Sequence, residues 1–553
     1  MNKIVIIILG FFFNLGLNAQ QVSQNEMEKI QKMFEKEFRI SEKPASIFPI
    51  MQNNDTLGMV INYNHAFVLI STKKQLPPIK AYSLKNNFPK NPDNNSEVDF
   101  KDIITDDYVN FLANTSKTKY SEANKESWKY WLSGNMVLSP KIDYGPWLKS
   151  VYGQVNCKDE NGKYINVTNL STPNHYAVGC VALVFTELLR YYNWPRIGIG
   201  SHSYTDSYGN STGNYSVNYE SDYYRWTNIL DEYYKKASTQ AQRNELGKLA
   251  FHCAVAVDMD FESNGSTSNV NRIPAAANKY FRFTAEHISK SDPSFWSRVK
   301  ENIIDGHPVG FSIYTTSGAG HAIVGDGYKK LSATQEFYHL NMGWWGSSNA
   351  WYNIQGSFNA GGYTNIPSAV VDMFPVPEMA KPVIDVENKS VTVEWYYPLN
   401  ANPDAYELMV KEGNNNWISL DTNLTQTKYS YIYSSTEVHI FKVRAKVMNK
   451  WNNTGWSNYE SIDIKYELNN ATPKEFKISP TVVSDILTLE YANLSGCTIG
   501  IYDITGKCVL MNTINKNDGS VSKQINLQYL NSGMYFILIS GEGIKETAKF
   551  MKM

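Results

Sequence analysis

The pattern of hydrophobic and polar positions divides the chain into regions of different structure. A short apolar run follows Lys3 and ends at Ala19, which predicts a cleavable export signal over residues 1–19. The next region opens with the amphipathic helical pattern of MEKIQKMFEKEF and continues through strand-like runs such as AFVLI. Residues 20–138 are therefore predicted to form a modest α+β module.

Between residues 139 and 375 the chain mixes long helical spacings with Gly-rich turns and aromatic strands. In VALVFTELLRYY, apolar residues recur at helical spacing directly after Cys180, and Pro195 ends the pattern. This region is predicted to be one compact α+β domain, and it holds every candidate for chemistry named below.

After the linker PVPEMAKP, segments such as SVTVEWYY and EVHIFKVRAKV alternate apolar and polar residues between polar turns. Half-buried antiparallel strands produce this alternation. We expect one small β-sandwich over residues 380–466 and a second over residues 471–553, where DILTLEY, TIGIYDI and MYFILIS repeat the pattern.

Composition then narrows the functions. The 52 basic and 53 acidic residues leave a net charge of −1, which gives no support for a nucleic acid or an anionic membrane as partner. No segment after the signal approaches the roughly 20 apolar residues of a membrane span, so the mature protein is expected to be soluble. Five cysteines are too few for a disulfide scaffold, and their odd number leaves at least one thiol of an exported protein outside a disulfide.

Cys180 is the candidate for a reactive thiol. It stands at the start of the predicted helix, where unpaired backbone N–H groups and the helix dipole favour the reactive thiolate. Gly179 lets the chain turn tightly before it, so that the sulfur is presented to a cleft. The four other cysteines lack this setting and are predicted to be structural: Cys157, Cys253, Cys497 and Cys508.

A thiol nucleophile needs an imidazole that takes its proton and later gives one to the leaving amine. His321 follows the flexible turn TTSGAG and begins the strand-like run HAIVGDGY, whereas the weaker candidates His175 and His252 lie in a polar loop and an apolar helix. Asn341 ends the strand-like run EFYHL and is the candidate to orient the imidazole. The indole of Trp344, close after it, can keep water off that contact.

Order and spacing agree with this assignment. His321 lies 141 residues after Cys180 (321 − 180) and Asn341 lies 161 after it (341 − 180), near the roughly 130–150 residues that separate these roles in papain-type enzymes. The remaining requirement is a donor for the oxyanion. Gln154, in SVYGQ, is the candidate, acting together with the backbone N–H of Cys180.

Five ordered segments resemble the motifs of the streptopain family of papain-like cysteine peptidases: YGQ, VGCVALVFTELLRYYNWP, AVAVDMDF, GHAIVGDGY and FYHLNMGWWG. The resemblance covers most of residues 140–375 and implies an endopeptidase that acts on proteins or peptides. It implies Cys180 as nucleophile and His321 as general base and acid. It also implies Gln154 in the oxyanion hole and Asn341 as the residue that orients the histidine. No cofactor or metal is expected.

The chain departs from the family at one position of this site. Where the family usually has Asn-Trp-Gly-Trp, the chain has Met342 after Asn341, so that one shielding tryptophan is missing. Trp344 is expected to substitute for it only in part, which predicts weakened activity.

The resemblance extends to the regions on either side. Residues 20–138, most clearly AFVLISTKKQLPPIKAYS, resemble the pro-domain that covers the cleft of such zymogens, which implies an intramolecular inhibitor. Residues 380–466 are similar to fibronectin type III modules, whose simplest role is a spacer. Residues 471–553 resemble the C-terminal sorting domain of type IX secretion cargo. That likeness implies recognition by secretion machinery, export across an outer membrane, and release or cell-surface attachment.

The expected fold class is thus an α+β papain-like catalytic domain, preceded by an α+β pro-domain and followed by two all-β sandwich modules. Three alternatives remain open. In the first, the domain is catalytically silent and the β modules bind extracellular proteins. In the second, Cys157, His175 and Cys180 hold a metal, although their spacing matches no zinc pattern. In the third, the thiol passes its acyl group to an amine instead of water.

Overall fold

The computed structural model describes residues 21–52, 54–88, 120–134, 142–209, 211–314, 320–332, 335–354, 365–386, 388–451, 455–470, 476–491, 497–513, 521–541 and 544–553. The predicted signal over residues 1–19 lies outside these ranges, as does the stretch 89–119 of the predicted pro-domain. No helix among the described residues combines the length and the apolar character needed to cross a membrane.

The described residues form seven α-helices: α1 (Gln24–Glu37), α2 (Tyr120–Ser133), α3 (Cys180–Tyr192), α4 (Gln240–Ala256), α5 (Ile273–Tyr280), α6 (Phe295–Ile304) and α7 (Ile464–Asn470). Strands up to residue 375 are β1 (Ser46–Gln52), β2 (Asp55–Asn62), β3 (Phe67–Ser71), β4 (Ile79–Ser83), β5 (Ile142–Tyr144), β6 (Cys157–Lys158), β7 (Tyr164–Ile165), β8 (Ser201–Asp206), β9 (Gly213–Asn218), β10 (Phe283–Ser289), β11 (Val309–Tyr314), β12 (Gly320–Ser332), β13 (Gln335–Asn341), β14 (Ala350–Tyr352) and β15 (Asn365–Pro375).

The next region has strands β16 (Glu378–Met379), β17 (Val383–Asp385), β18 (Ser390–Tyr396), β19 (Ala405–Glu412), β20 (Ile418–Leu424), β21 (Lys428–Ile432), β22 (Val438–Val447), β23 (Lys450–Trp451) and β24 (Glu460–Asp463). The last region has β25 (Phe476–Ser479), β26 (Val482–Val483), β27 (Ile486–Tyr491), β28 (Thr498–Asp503), β29 (Cys508–Thr513), β30 (Val521–Asn526), β31 (Gly533–Gly541) and β32 (Ile544–Lys552).

A single sheet of eleven strands joins the N-terminal region to the enzyme-sized domain. Its order is β1-β2-β3-β4-β14-β13-β12-β11-β15-β10, with β5 paired to β12. The two regions meet where β4 pairs antiparallel with β14, with Tyr82 opposite Trp351 and Ala81 opposite Tyr352. The N-terminal α+β region therefore continues the sheet of the larger domain, which the local pattern did not predict.

Helix α3 forms where the spacing of apolar residues predicts it. Its first turns are almost fully buried, and Phe185 and Leu188 have no exposed surface. The helix ends where Asn193 adopts a left-handed conformation (φ 52°), one residue before Trp194 and Pro195. Because α3 packs against β11 and β12, its buried face joins the helical half of the domain to the sheet.

The region after residue 375 forms two pairs of sheets, in which all strands pair antiparallel except β26, which pairs parallel with β32. In the first pair, β16-β18-β17 with β21 faces β20-β19-β22-β23 with β24. Burial alternates regularly along β22, which is the period-2 pattern that predicted it. The second pair consists of β25-β27-β30 and β26-β32-β31-β28-β29, with one apolar core between them. The α+β region and the two all-β modules expected from the sequence are confirmed.

The first β module packs on the larger domain. Asn400 Nδ2 donates to the backbone oxygen of Tyr191 at the end of α3 (2.6 Å), and Ala401 is fully buried in the core around that helix. The guanidinium of Arg196 lies 3.8 Å from the ring centre of Tyr396. These contacts fix the module against the C-terminal end of α3.

Candidate active site

The thiol of Cys180 is placed by the turn that precedes α3. Gly179 has a φ of 85°, and a Cβ there would lie 2.6 Å from Met259 Sδ and 3.0 Å from the backbone oxygen of Ser266. Only glycine suits this position. Cys180 is the first residue of α3 and is partly exposed, so its sulfur stands near the unpaired N–H groups of the first turn. None of the five cysteines is in a disulfide.

The loop before Gly179 is held by side chains that bind its backbone. Asn169 Oδ1 accepts a hydrogen bond from the N–H of Val178 (3.1 Å), and Thr172 Oγ1 donates to the oxygen of Tyr176 (2.6 Å). His175, a weaker candidate for the base, lies in this loop with Nδ1 3.1 Å from the oxygen of Asn169. These hydrogen bonds therefore hold the backbone of the loop that leads to Cys180.

His321 lies one residue inside the beginning of β12 and is 9% exposed. Its Nε2–H donates to the backbone oxygen of Met342 at 2.9 Å. In a neutral ring this contact places the proton on Nε2 and leaves Nδ1 as the basic nitrogen. Burial lowers the pKa of His321, while the Met342 carbonyl opposes that shift, so the neutral form is favoured.

The indole of Trp344 covers the His321 ring. The two rings stack with centroids 5.3 Å apart and an interplanar angle of 20°. Met342 itself points into the core and is 1% exposed. The missing tryptophan at position 342 therefore does not remove the polar contact of the imidazole, because the backbone makes that contact and any residue supplies the same carbonyl.

Asn341 does not make the contact with His321 that the sequence analysis expects. Its Nδ2 donates to the oxygen of Ser150 (3.1 Å) and to Glu187 Oε1 (3.3 Å), and its Oδ1 accepts from the N–H of Gly343 (3.1 Å). The strand register explains the difference. Asn341 lies opposite Val324 on β12, three residues from His321, and residues an odd number apart on a strand face opposite sides.

Gln154 lies next to the histidine turn. Gly153 forms an antiparallel bridge with Trp344, and the N–H of Trp345 donates to the oxygen of Tyr152 (3.1 Å). The indole N–H of Trp345 also donates to the oxygen of Val155 (3.0 Å). The turn that covers His321 thus also holds the short segment with Gln154, and the structure brings both candidates to one place.

The helix that begins at Cys180 packs against the same turn. A Cβ on Gly343 would lie 2.9 Å from Leu183 Cδ2, so the first turns of α3 approach the backbone directly after Met342. Ala322 and Val324, on β12 just after His321, lie in the same core as α3. The structure therefore gathers Cys180, His321, Gln154 and Trp344 around the start of α3 and of β12, with Asn341 behind them.

Glu187 is a buried residue of this region that the sequence analysis missed. It is 1% exposed, and burial raises its pKa to about 7, although hydrogen bonds from Ser150, Tyr152 and Asn341 oppose the shift. The sequence holds a signal for it. Glu187 is the single acidic residue in α3, and seven residues after Cys180 it returns to nearly the same helix face.

The metal-site alternative finds no support in the geometry. Within the part of the chain that the structure describes, no three His, Cys, Asp or Glu side chains come together as ligands would. Cys157 is buried on β6, where burial raises the pKa of its thiol to about 12.

The N-terminal region touches the loop after the histidine turn. Asn86 Nδ2 donates to the backbone oxygens of Gly346 and Asn349, both at 3.2 Å. Asn349 Oδ1 in turn accepts from the N–H of Met342 at 2.9 Å. One short path of hydrogen bonds therefore leads from the N-terminal region to the residue whose carbonyl holds His321.

Comparisons with known proteins find two family matches in the chain. Residues 159–352 match the peptidase C10 family, and residues 477–553 match the secretion system C-terminal sorting domain. The chain is 26% identical to streptopain of Streptococcus pyogenes serotype M28 over 326 residues, which is 56% of this chain and 78% of that protein. It is 24% identical to the thiol protease/hemagglutinin PrtT of Porphyromonas gingivalis over 261 residues, 44% of this chain and 29% of that protein.

Two solved structures from Prevotella intermedia are similar. A fragment of prointerpain A has a TM-score of 0.41 at 22% identity and covers 59% of this chain and 97% of its own. Active interpain A has a TM-score of 0.33 at 26% identity and covers 41% of this chain and 94% of its own.

Proposed function

We propose that the chain, whose residues 159–352 match the peptidase C10 family, is a secreted cysteine endopeptidase made as a zymogen with Cys180 as nucleophile. Two observations carry the proposal: the helix that begins at Cys180 packs against the backbone just after Met342, and the carbonyl of Met342 holds the Nε2–H of His321. That contact leaves Nδ1 of His321 to act on the thiol.

In the proposed reaction, Nδ1 of His321 takes the proton of the Cys180 thiol, and the thiolate attacks the carbonyl carbon of a peptide bond. The imidazolium then gives its proton to the leaving amine, which leaves an acyl-enzyme. Water, deprotonated by the same imidazole, hydrolyses the thioester and restores the thiol. Stacking by Trp344 keeps water from the bond between Nε2 and Met342, and so preserves the working tautomer.

The negative charge that develops on the substrate oxygen needs preorganised donors. We assign this role to the backbone N–H of Cys180 and the side-chain amide of Gln154. Support comes from the bridge between Gly153 and Trp344, which fixes the neighbouring residue relative to the histidine turn. Asn341 keeps a supporting role behind the site and is not proposed to orient His321.

The N-terminal region is proposed to act as an inhibitory pro-domain. It extends the catalytic sheet through β4 and binds the loop beyond Trp344 through Asn86. Cleavage between this region and residue 142 is expected to precede activity.

The C-terminal sorting domain implies export and a secreted or cell-surface location. We propose that the export machinery carries the chain across an outer membrane. The domain gives that machinery a folded β-sandwich to recognise, since β31 and β32 pair along nine residues up to Lys552.

The test is to purify the precursor with Cys180→Ala and follow loss of the pro-region and digestion of casein. The variant is expected to do neither, and an alkylating probe is expected to lose its label at residue 180 while it still labels the exposed Cys508. Cys508→Ala removes an exposed thiol from the sorting domain and serves as the matched control. Maturation and casein digestion by the Cys180→Ala form at the parental rate would overturn the proposal.

A further inference from the structure

Glu187 connects three parts of the proposed active site. It lies on α3, two helical turns after Cys180, and three donors from outside the helix converge on its carboxyl. The N–H of Tyr152 and the Nδ2 of Asn341 donate to Oε1 at 2.8 and 3.3 Å, and the hydroxyl of Ser150 donates to Oε2. Among the described contacts, no other α3 side chain is hydrogen-bonded both to residues 150–152 and to Asn341.

Each donor belongs to a segment that ends at a proposed catalytic group. The stretch from Ser150 to Tyr152 continues directly to Gln154. Asn341 is followed at once by Met342, whose carbonyl holds His321. The carboxyl thus lies where the oxyanion segment, the histidine turn and the nucleophile helix meet.

We infer that Glu187 is a positioning residue, which holds the Gln154 segment and the Met342 turn in register with the helix that presents Cys180. The inference rests on the proposed function. Glu187 lies two turns behind Cys180 and touches no reacting atom; it acts through Tyr152, Ser150 and Asn341.

The surroundings of Glu187 suit an acceptor that keeps its place in either protonation state. Burial is the main cause of its raised pKa, and the charge of Asp326 on β12 adds to it; Asp326 is itself paired with His339 of β13 at 2.6 Å. Arg190 of α3 lies on the Tyr152 side and is paired with Asp231 at 2.8 Å. When the carboxyl is protonated on Oε2, the Ser150 hydroxyl can turn and accept a hydrogen bond from it. Oε1 still accepts from the other two donors.

The same argument predicts which substitutions succeed. Glutamine keeps an acceptor for Tyr152 and Asn341, and its NH₂ donates to the rotated hydroxyl of Ser150. Alanine leaves the N–H of Tyr152 and the hydroxyl of Ser150 without this acceptor, whereas Asn341 Nδ2 keeps the oxygen of Ser150. It also opens a space between the three segments. A displacement of about 1 Å in catalytic groups is enough to cost on the order of 100-fold in rate.

The experiment compares Glu187→Ala, Glu187→Gln and the parent after processing of the full chain, with kcat and KM measured on one peptide substrate. Glu187→Ala is expected to lower kcat by about 10- to 100-fold with KM within about threefold, because the lost interactions align groups in the transition state. Glu187→Gln is expected to restore most of kcat. Glu245→Gln changes another buried glutamate, 7% exposed on α4 and paired with Lys248, and is the control for loss of a buried carboxylate outside the site.

Ser150→Ala keeps the test decisive if Glu187→Ala does not fold. It removes one of the three bonds and is expected to lower kcat several-fold, and adding it to Glu187→Gln should cost less than it costs alone, because both changes act on one bond. Unchanged kcat in a folded Glu187→Ala or Ser150→Ala, with Cys180→Ala inactive, would overturn this inference and leave the proposed function standing. An active Cys180→Ala would overturn the proposed function first.

Discussion

At the scale of single residues, the main-chain carbonyl of Met342 does what the sequence assigns to a side chain. The motif Asn-Met-Gly-Trp suggests that Asn341 orients His321 and that the missing tryptophan weakens the site. In the structure the carbonyl of Met342 binds Nε2, and Trp344 supplies the stacking. Residue types predicted which positions gather here, but a carbonyl carries no residue type, so its role was invisible before the backbone path was known.

Glu187 gives the protein a stability that depends on pH. Its pKa is raised in the folded chain from 4.5 to about 7, so the folded state binds the proton more tightly than the unfolded state. This contribution to the free energy of unfolding is about 3 kcal/mol. It is fully present below about pH 4.5 and is lost as pH rises through about 7. We expect the Tm of the parent to fall by roughly 6–12 °C more than that of Glu187→Gln between pH 5 and 8.5. Parallel Tm curves for the two proteins would contradict this.

At the scale of elements, helix α3 and strands β12 and β13 were predictable because each shows its own hydrophobic period. The side of the sheet that the Asn341 side chain faces was not predictable, because it depends on which residue of β12 lies opposite Asn341. Glu187 was missed for a similar reason. A lone acid in an apolar helix is visible in the sequence, but its three partners come from segments 35 to 154 residues away.

The turn into α3 should not tolerate a side chain at position 179. Gly179→Ala forces an alanine to a φ of 85° and places its Cβ 2.6 Å from Met259 Sδ and 3.0 Å from the backbone oxygen of Ser266, so that we expect the turn that carries Cys180 to shift. We expect kcat/KM to fall by at least about tenfold, with about 1–2 kcal/mol lost from backbone strain alone. Gly200→Ala is the matched control, because Gly200 also has a positive φ (62°) but nothing lies near its Cβ position. Equal losses in the two variants would show that strain, and not displacement of Cys180, is responsible.

At the scale of the whole molecule, the sequence predicted which regions fold but not how they join. The pairing of β4 with β14 connects residues about 270 positions apart, and the packing of the first β module on α3 is equally non-local. Local patterns carry no information on either contact. The spacer role suggested for that module did not include the contacts of Asn400 and Ala401 with the end of α3.

That packing predicts a thermal effect at a distance from the chemistry. The double variant Tyr396→Ala/Asn400→Ala removes the ring beside Arg196 and the hydrogen bond to Tyr191. It is expected to cost about 2 kcal/mol and to lower the Tm of the catalytic domain by roughly 4–8 °C. Calorimetry measures the change, with Tyr529→Ala, an exposed tyrosine of the sorting domain, as control. An unchanged Tm of the catalytic domain would show that the module acts only as a spacer.

The shared sheet also determines what a cut in the chain achieves. Because β1–β4 continue the catalytic sheet through β4 and β14, severing the connection leaves the N-terminal region, our proposed pro-domain, bound by its own strand pairing and by Asn86. The severed piece then behaves as a dissociable ligand, whose occupancy obeys mass action. At high concentration the severed piece should therefore stay bound and keep the cleaved protein inhibited. Dilution into a large volume, or digestion of the released piece, should complete activation.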